Sequence, residues 1–192
     1  MDEKPIAAGK SSFDLIDTKS LFSELRLKQN TVFLDVACGK GAYSIAASEY
    51  IGRAGKIYAV DLWQEGIDIL KKETSARQIN NIHASVADVS KRIPIEDHSV
   101  DVCLMATVLH DLIHDKTDEG TLTEVKRVIK HPGVLAVIEF KKIEGPPGPP
   151  IGIRISPEEV EKRLYPYSFR IAKTTDIGPY NYLSILTSQN CT

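Results

Sequence analysis

Along most of the chain, short apolar runs of strand length alternate with longer segments whose apolar residues recur at helical spacing. A helix is expected over Asp17 to Leu25. "TVFLDVA" then predicts a buried strand, and "AYSIAASEYI" the helix behind it, closed by Gly52. "KIYAVDL" predicts a second strand and "NIHASVADV" a third. Between them "EGIDILKKETSARQ" carries Ile67, Leu70 and Ala76 at roughly helical intervals. "SVDVCLMAT" and "GVLAVIEFKK" predict the fourth and fifth strands. They are separated by the helix "EGTLTEVKRVIK", with its basic residues late, and by a Pro132-Gly133 stop. Such alternation packs as a parallel sheet between helices.

The pattern changes after residue 142. "IEGPPGPPIGIRIS" reads as a stiff polyproline-type loop, far too short for a triple helix. Ser156 as N-cap and Pro157 at the first helical position open the helix "SPEEVEKRLY". "FRIAKTTDIG" and "YNYLSILTS", joined by "GPYN", predict an antiparallel hairpin. The expected fold is α/β, a doubly wound sheet, mostly parallel, with one antiparallel strand in the C-terminal hairpin.

Composition changes this picture little. The 192 residues fit one domain, and 42% hydrophobic with 26% charged residues is ordinary for a globular chain. A net charge of −2 gives no general attraction to polyanions. No signal-peptide core and no run near the ~20 apolar residues of a membrane span is present, so a cytoplasmic protein is expected. The three cysteines are odd in number and form no C-x-x-C pair, which indicates neither a disulfide framework nor a zinc site. Cys38 and Cys103 read as small buried hydrophobes.

In open α/β sheets, ligands bind beyond the carboxyl ends of the strands. After the first strand, Gly39 and Gly41 let the backbone turn and its N–H groups approach a ligand at a helix start. Asp61 ends the second strand, placed to accept both hydroxyl hydrogens of a ribose, and Leu62 and Trp63 offer an apolar wall for a purine. A glycine turn with a downstream acid is shared by dinucleotide enzymes, and Ser44 satisfies their third small position. Asp35 argues against a pyrophosphate, because like charges would repel there. A cationic or zwitterionic ligand removes that conflict. S-adenosylmethionine supplies an adenosine, a sulfonium and an amino acid tail.

The stretch "VFLDVACGKGAYS" resembles the first motif of class I S-adenosylmethionine-dependent methyltransferases, and "IYAVDL" their second-strand motif. "IPIEDHSVDVCLMATVLHDL" and "EVKRVIKHPGVLAVIE" are similar to the fourth and fifth motifs of the ubiquinone/menaquinone-biosynthesis-type (type 11-like) branch. The resemblance implies a Rossmann-like, seven-stranded sheet in one methyltransferase domain. Its parts are an N-terminal cap segment (1–30), a cofactor-binding core (31–140), a Gly/Pro-rich loop (141–155) and a closing helix and hairpin (156–192). It also implies that Asp35, Ala37, Gly39 and Gly41 surround the methionine part, with Ala37 replacing the first family glycine. Asp61 binds the ribose, Leu62 lies against the adenine, Asp88 near the adenine amine, and Ala106 beside the cofactor.

Methyl transfer from a sulfonium is an in-line displacement that alignment and water exclusion accelerate, with no metal required. A base is useful only where the acceptor must lose a proton. His110 is the candidate, as catalytic base or as a substrate-lining residue, because "VLHDLIHD" resembles the "LHDWSD"-like segment of small-molecule O-methyltransferases. His110 and His114 are four apart, but no third metal ligand is evident. The D/N-P-P-Y/F motif of nucleic-acid base methyltransferases is absent, "MATV" standing in its place, and so is a basic stripe. A small-molecule acceptor is therefore expected rather than nucleic acid. Arg154 on the proline loop is available for an anionic substrate group, and Tyr43 is a further lining residue. The segment "GKSSFDLIDTKSLF" is expected to fold over the cofactor, leaving an acceptor pocket that is open or completed by a second subunit in a homodimer. The competing functions are an NAD(P)-dependent oxidoreductase and a non-catalytic protein that binds S-adenosylmethionine.

Overall fold

The computed structural model describes residues 9 and 11–189. Cys191 and most of the first ten residues lie outside that range. Seven strands form one sheet in the order β3-β2-β1-β4-β5-β7-β6. In chain order they are β1 (Val32–Val36), β2 (Lys56–Asp61), β3 (Ile82–Val86), β4 (Val100–Ala106), β5 (Ile129–Phe140), β6 (Phe169–Asp176) and β7 (Asn181–Ser188). Neighbouring strands from β3 through to β5 run parallel, and β7 is antiparallel to both β5 and β6. The mostly parallel sheet with a single reversed strand is the one the hydrophobic pattern predicts.

The helices are α1 (Thr18–Leu25), α2 (Ala42–Ile51), α3 (Gln64–Ala76), α4 (Leu109–His114), α5 (Asp118–Val128) and α6 (Pro157–Leu164). α1 and α2 bury Leu21, Phe22, Ala47 and Ile51 against one face of the sheet, and α3 adds Ile67 and Leu70 beside Ala59. α4, α5 and α6 bury Leu109, Leu122, Val125, Val160 and Leu164 on the other. Each helix hides an apolar stripe, so two cores sandwich the sheet.

Local chemistry sets the ends of these elements. Asp17 caps α1 by accepting from the N–H groups of Lys19 and Ser20. Ser156 and Glu159 form a reciprocal capping box on α6, with Pro157 beginning the helix. The expected stop at Pro132-Gly133 is different from what forms. β5 already begins at Ile129, paired with Val100, and its next partners are Val134 and Val102. The proline and glycine fall inside that register shift, where no ladder hydrogen bond is required of them.

Strand order reverses between β1 and β4, and this places the first crevice for a ligand beyond their carboxyl ends.

Candidate functional site

A cleft of about 340 Å³ opens at that point. β1 contributes Asp35 and its following loop Ala37 and Gly39, β2 and β3 contribute Asp61, Leu62 and Asp88 at or just past their ends, and β4 contributes Ala106. Seven of the eight residues expected around a cofactor thus line the cleft, Gly41 being the exception.

Asp35 is 1% exposed, and its Oδ2 accepts a 2.6 Å hydrogen bond from the Ser44 hydroxyl. Burial pushes its carboxyl up to about 7; the Ser44 bond opposes that rise and the neighbouring Asp61 charge adds to it. An ammonium group beside Asp35 would reverse the effect of burial.

Asp61 organises two loops at once. Its Oδ2 accepts from the Gly39 N–H and its Oδ1 from the Trp63 N–H, both at 2.7 Å. Each carboxylate oxygen keeps a further lone pair for a ligand hydroxyl. Asp88 accepts from the Ser90 N–H and hydroxyl and pairs with Lys91 at 3.0 Å. Burial acts to raise its pKa, but the Ser90 and Lys91 interactions outweigh it and hold the carboxyl below its ordinary value.

The β1 loop makes room above itself. Ala37 has φ +55° and Gly39 φ +57°, and a Cβ added to Gly39 would meet nothing within 4 Å. Gly41 has another task. It lies outside the cleft lining, and a Cβ there would come within 2.4 Å of the Leu70 side chain. Its glycine serves the left-handed turn into α2 and close packing on α3, not the ligand as expected.

Five aspartates line the cleft (Asp35, Asp61, Asp88, Asp111 and Asp115), and Lys40 is the single basic side chain among the described lining residues. That set of acceptors fits ribose hydroxyls and positive charge, with Leu62, Trp63 and Val89 beside it for an apolar ring. It does not suit a pyrophosphate. A family model for the methyltransferase domain matches residues 27–160. The chain belongs to the methyltransferase domain family.

Two curated relatives are demethylmenaquinone methyltransferases. The protein from Lactobacillus johnsonii is 26% identical over 89% of this chain and 66% of its own length. The one from Staphylococcus saprophyticus is 27% identical over 63% of this chain and 49% of its own. This chain therefore spans between half and two thirds of the relatives it matches. A crystal structure of an S-adenosylmethionine-dependent methyltransferase from Aquifex aeolicus superposes with a TM-score of 0.85 at 29% identity, covering 95% of both chains. The expected class I methyltransferase and its seven-stranded sheet are borne out.

Beyond β4, this methyltransferase departs from the sequence reading. His110 is 4% exposed and absent from the cleft lining. Its Nδ1 lies 2.6 Å from Glu139 Oε2 on β5, and its backbone N–H donates to Oε1 of the same carboxylate. Burial acts to lower its pKa, yet Glu139 and Asp111 together raise it. With Nδ1 engaged by Glu139 and the ring buried outside the cleft lining, His110 is not placed to take a proton from an acceptor there. His114, on the same short helix, is exposed, so the two do not share a site. Arg154 is 2% exposed, and its guanidinium donates to the carbonyls of Lys141, Ile143, Gly145, Pro147 and Pro149. All five of its N–H donors are spent on the proline loop, which leaves none for an anionic substrate.

Tyr43 does line the cleft, and so do residues that the motifs do not mark: Ser11, Ser12, Thr107, Asp111, Leu112 and Asp115. Helical spacing over "VLHDLIHD" was the available signal for Asp111 and Asp115, since α4 turns them to the cleft while His110 faces the sheet. Ser11 and Ser12 belong to the segment expected to fold over the cofactor, but no motif singles out Ser12, whose contacts arise only through tertiary packing.

Proposed function

We propose that this chain transfers the methyl group of S-adenosylmethionine to a small-molecule acceptor. The observation that carries the reading is the convergence of Asp35, Asp61 and Asp88 on the open space over Gly39, at the strand-order reversal. Asp35 meets the amino acid end, Asp61 the ribose and Asp88 the adenine amine. Leu62 and Trp63 stand beside the base. When bound, the sulfonium supplies an activated methyl group with a neutral leaving group. The chain's own residues fix its direction and exclude water, and most of the rate advantage of an in-line displacement comes from that alignment.

His110 serves this reaction from behind the wall. Paired with Glu139, it anchors the start of α4 and so the position of Asp111 and Leu112 in the cleft. The small-molecule acceptor is supported by the curated relatives, named for demethylmenaquinone, and by the absence of a base-clamping motif after β4. One chain is the unit that carries the donor site.

Calorimetric titration with S-adenosylhomocysteine and with NAD tests the reading. Binding of the thioether with no response to NAD is the expected result. Tight NAD binding alone would reinstate the oxidoreductase. Thioether binding with no methyl consumption across an acceptor panel of quinols, phenols and amines would leave a non-catalytic cofactor-binding protein.

A further inference from the structure

Three hydroxyl groups meet in the lining of the cleft, and the resemblance to the donor motifs assigns none of them a contact with the donor. Ser12 is 2% exposed. Its Oγ lies 2.8 Å from the Tyr43 phenol oxygen and accepts from the Thr107 hydroxyl at 3.1 Å. Tyr43 comes from the first turn of α2 and Thr107 from the residue after β4, so the contact joins parts 31 and 95 residues away from Ser12. Phe13 adds an edge-on contact with the Tyr43 ring, centroids 5.1 Å apart. All three hydroxyl-bearing residues line the cleft.

The other end of this amino-terminal segment is fixed elsewhere. The Asp17 N–H donates to the Ile177 carbonyl at 2.6 Å. The Leu15 carbonyl passes so close to Gly178 that a Cβ there would sit 2.6 Å from it. Residues 11–17 therefore run as a strap from the β6–β7 turn to the lining of the cleft.

Thr107 supplies an independent mark. It has φ +51°, a left-handed conformation that a β-branched residue adopts only under constraint from its surroundings. Its N–H is tied to the Ile138 carbonyl at 2.7 Å, and the strained backbone carries the hydroxyl that meets Ser12.

We propose that Ser12, Tyr43 and Thr107 form a hydroxyl latch that holds the amino-terminal strap across the cleft, making Ser12 a positioning residue that sets how fast the cofactor product leaves. Opening this side breaks two hydroxyl bonds and one ring contact and leaves the Ile177 anchor intact. Neutral hydroxyls close the cleft without adding a charge near a sulfonium. The inference rests on the cofactor reading above.

Trp63, the chain's single tryptophan, lines the cleft and provides the signal. Release of S-adenosylhomocysteine is followed by stopped-flow fluorescence with excess S-adenosylmethionine as competitor. Tyr43→Phe, which removes one of the two bonds, is expected to speed release about 3- to 10-fold, and Ser12→Ala, which removes both, by at least as much. The double variant is expected to be no faster than Ser12→Ala alone, because that substitution already removes the bond to Tyr43. Ser12→Thr, which keeps the hydroxyl, is expected to restore slow release.

Wild-type release from Ser12→Ala overturns the latch, as do multiplying effects in the double variant. So does release from Ser12→Thr as fast as from Ser12→Ala, since the hydroxyl is then not what holds the strap. A wild type that binds no S-adenosylhomocysteine overturns the cofactor reading and the latch with it. A wild type that binds, with an unchanged Ser12→Ala, overturns the latch only.

Discussion

The ends of β1, β2 and β3 and the region beyond β4 and β5 use polar side chains in opposite ways. On the first side Asp35, Asp61 and Asp88 face the cleft and keep acceptor capacity for a ligand. On the second, Glu139 and Arg154 are buried and matched to groups within the chain: His110 to one carboxylate, five carbonyls to one guanidinium. The difference lies in what holds the backbone. A short glycine loop is fixed by its strand and helix and leaves the acids over it free to serve a ligand. A long proline loop has no ladder of its own, and Arg154 supplies the donors that its carbonyls would otherwise lack.

The largest effect expected from this contrast is at His110. Replacing it with alanine strands the Glu139 carboxylate, which is wholly buried, and is expected to cost about 3–5 kcal/mol in urea unfolding. The pH dependence has a definite sign. Because the folded-state value of His110 is raised above 6.5, its contribution is fully present below that pH. It fades as pH rises through the folded value, so wild type and His110→Ala converge in stability toward alkaline pH. Affinity of the folded variant for S-adenosylhomocysteine is expected to stay near wild type. A large loss of affinity with little loss of stability would break the comparison and return His110 to the ligand side.

Asp61 tests the opposite half. Asp61→Ala removes the ribose acceptor and releases the Gly39 and Trp63 N–H groups, and calorimetry is expected to show affinity reduced about 10- to 100-fold. Stability is expected to fall by about 1 kcal/mol for each of the two hydrogen bonds lost, less than at His110, because both are only partly buried. The inverse pattern, stability lost and affinity kept, would make Asp61 another internal clamp.

These two sites also show how much was legible. Repeating strand and helix periods, the reversal they imply, and the acids placed at strand ends all follow from local order in the sequence. The position of Asp61 is set by its own strand and needs no partner to be read. His110 and Arg154 were misplaced because their partners lie 29 residues away on β5 and in carbonyls that carry no side-chain signature. Ser12 is harder still, since its contacts exist only once α2 and β4 are packed.

Asp35 gives a subtler pH effect. Its folded value, raised to about 7, lies above that of the unfolded chain, so its carboxyl favours folding most fully in acid; that advantage is lost as pH climbs toward about 7 and changes little beyond. A ligand ammonium favours the ionised form, so binding near pH 6.5 is expected to release a proton. Calorimetry in two buffers of different ionisation enthalpy reads that release directly. It should vanish in Asp35→Asn. Uptake of a proton instead would place an anionic part of the ligand against Asp35.

The smallest effect separates the backbone of the donor loop from its chemistry. Ala37 stands at φ +55°, where a residue with a Cβ is strained by about 1–2 kcal/mol relative to its preferred conformations. Glycine removes that strain but gives the unfolded chain about 0.5–1 kcal/mol more entropy to lose. Ala37→Gly is therefore expected to raise stability by only about 0.5 kcal/mol, a small upward shift of the urea midpoint. Affinity for S-adenosylhomocysteine should not change if the loop's shape alone matters. Weaker binding would mean that the Ala37 methyl packs against the ligand, so that this loop, too, works through a side chain and not only through its backbone.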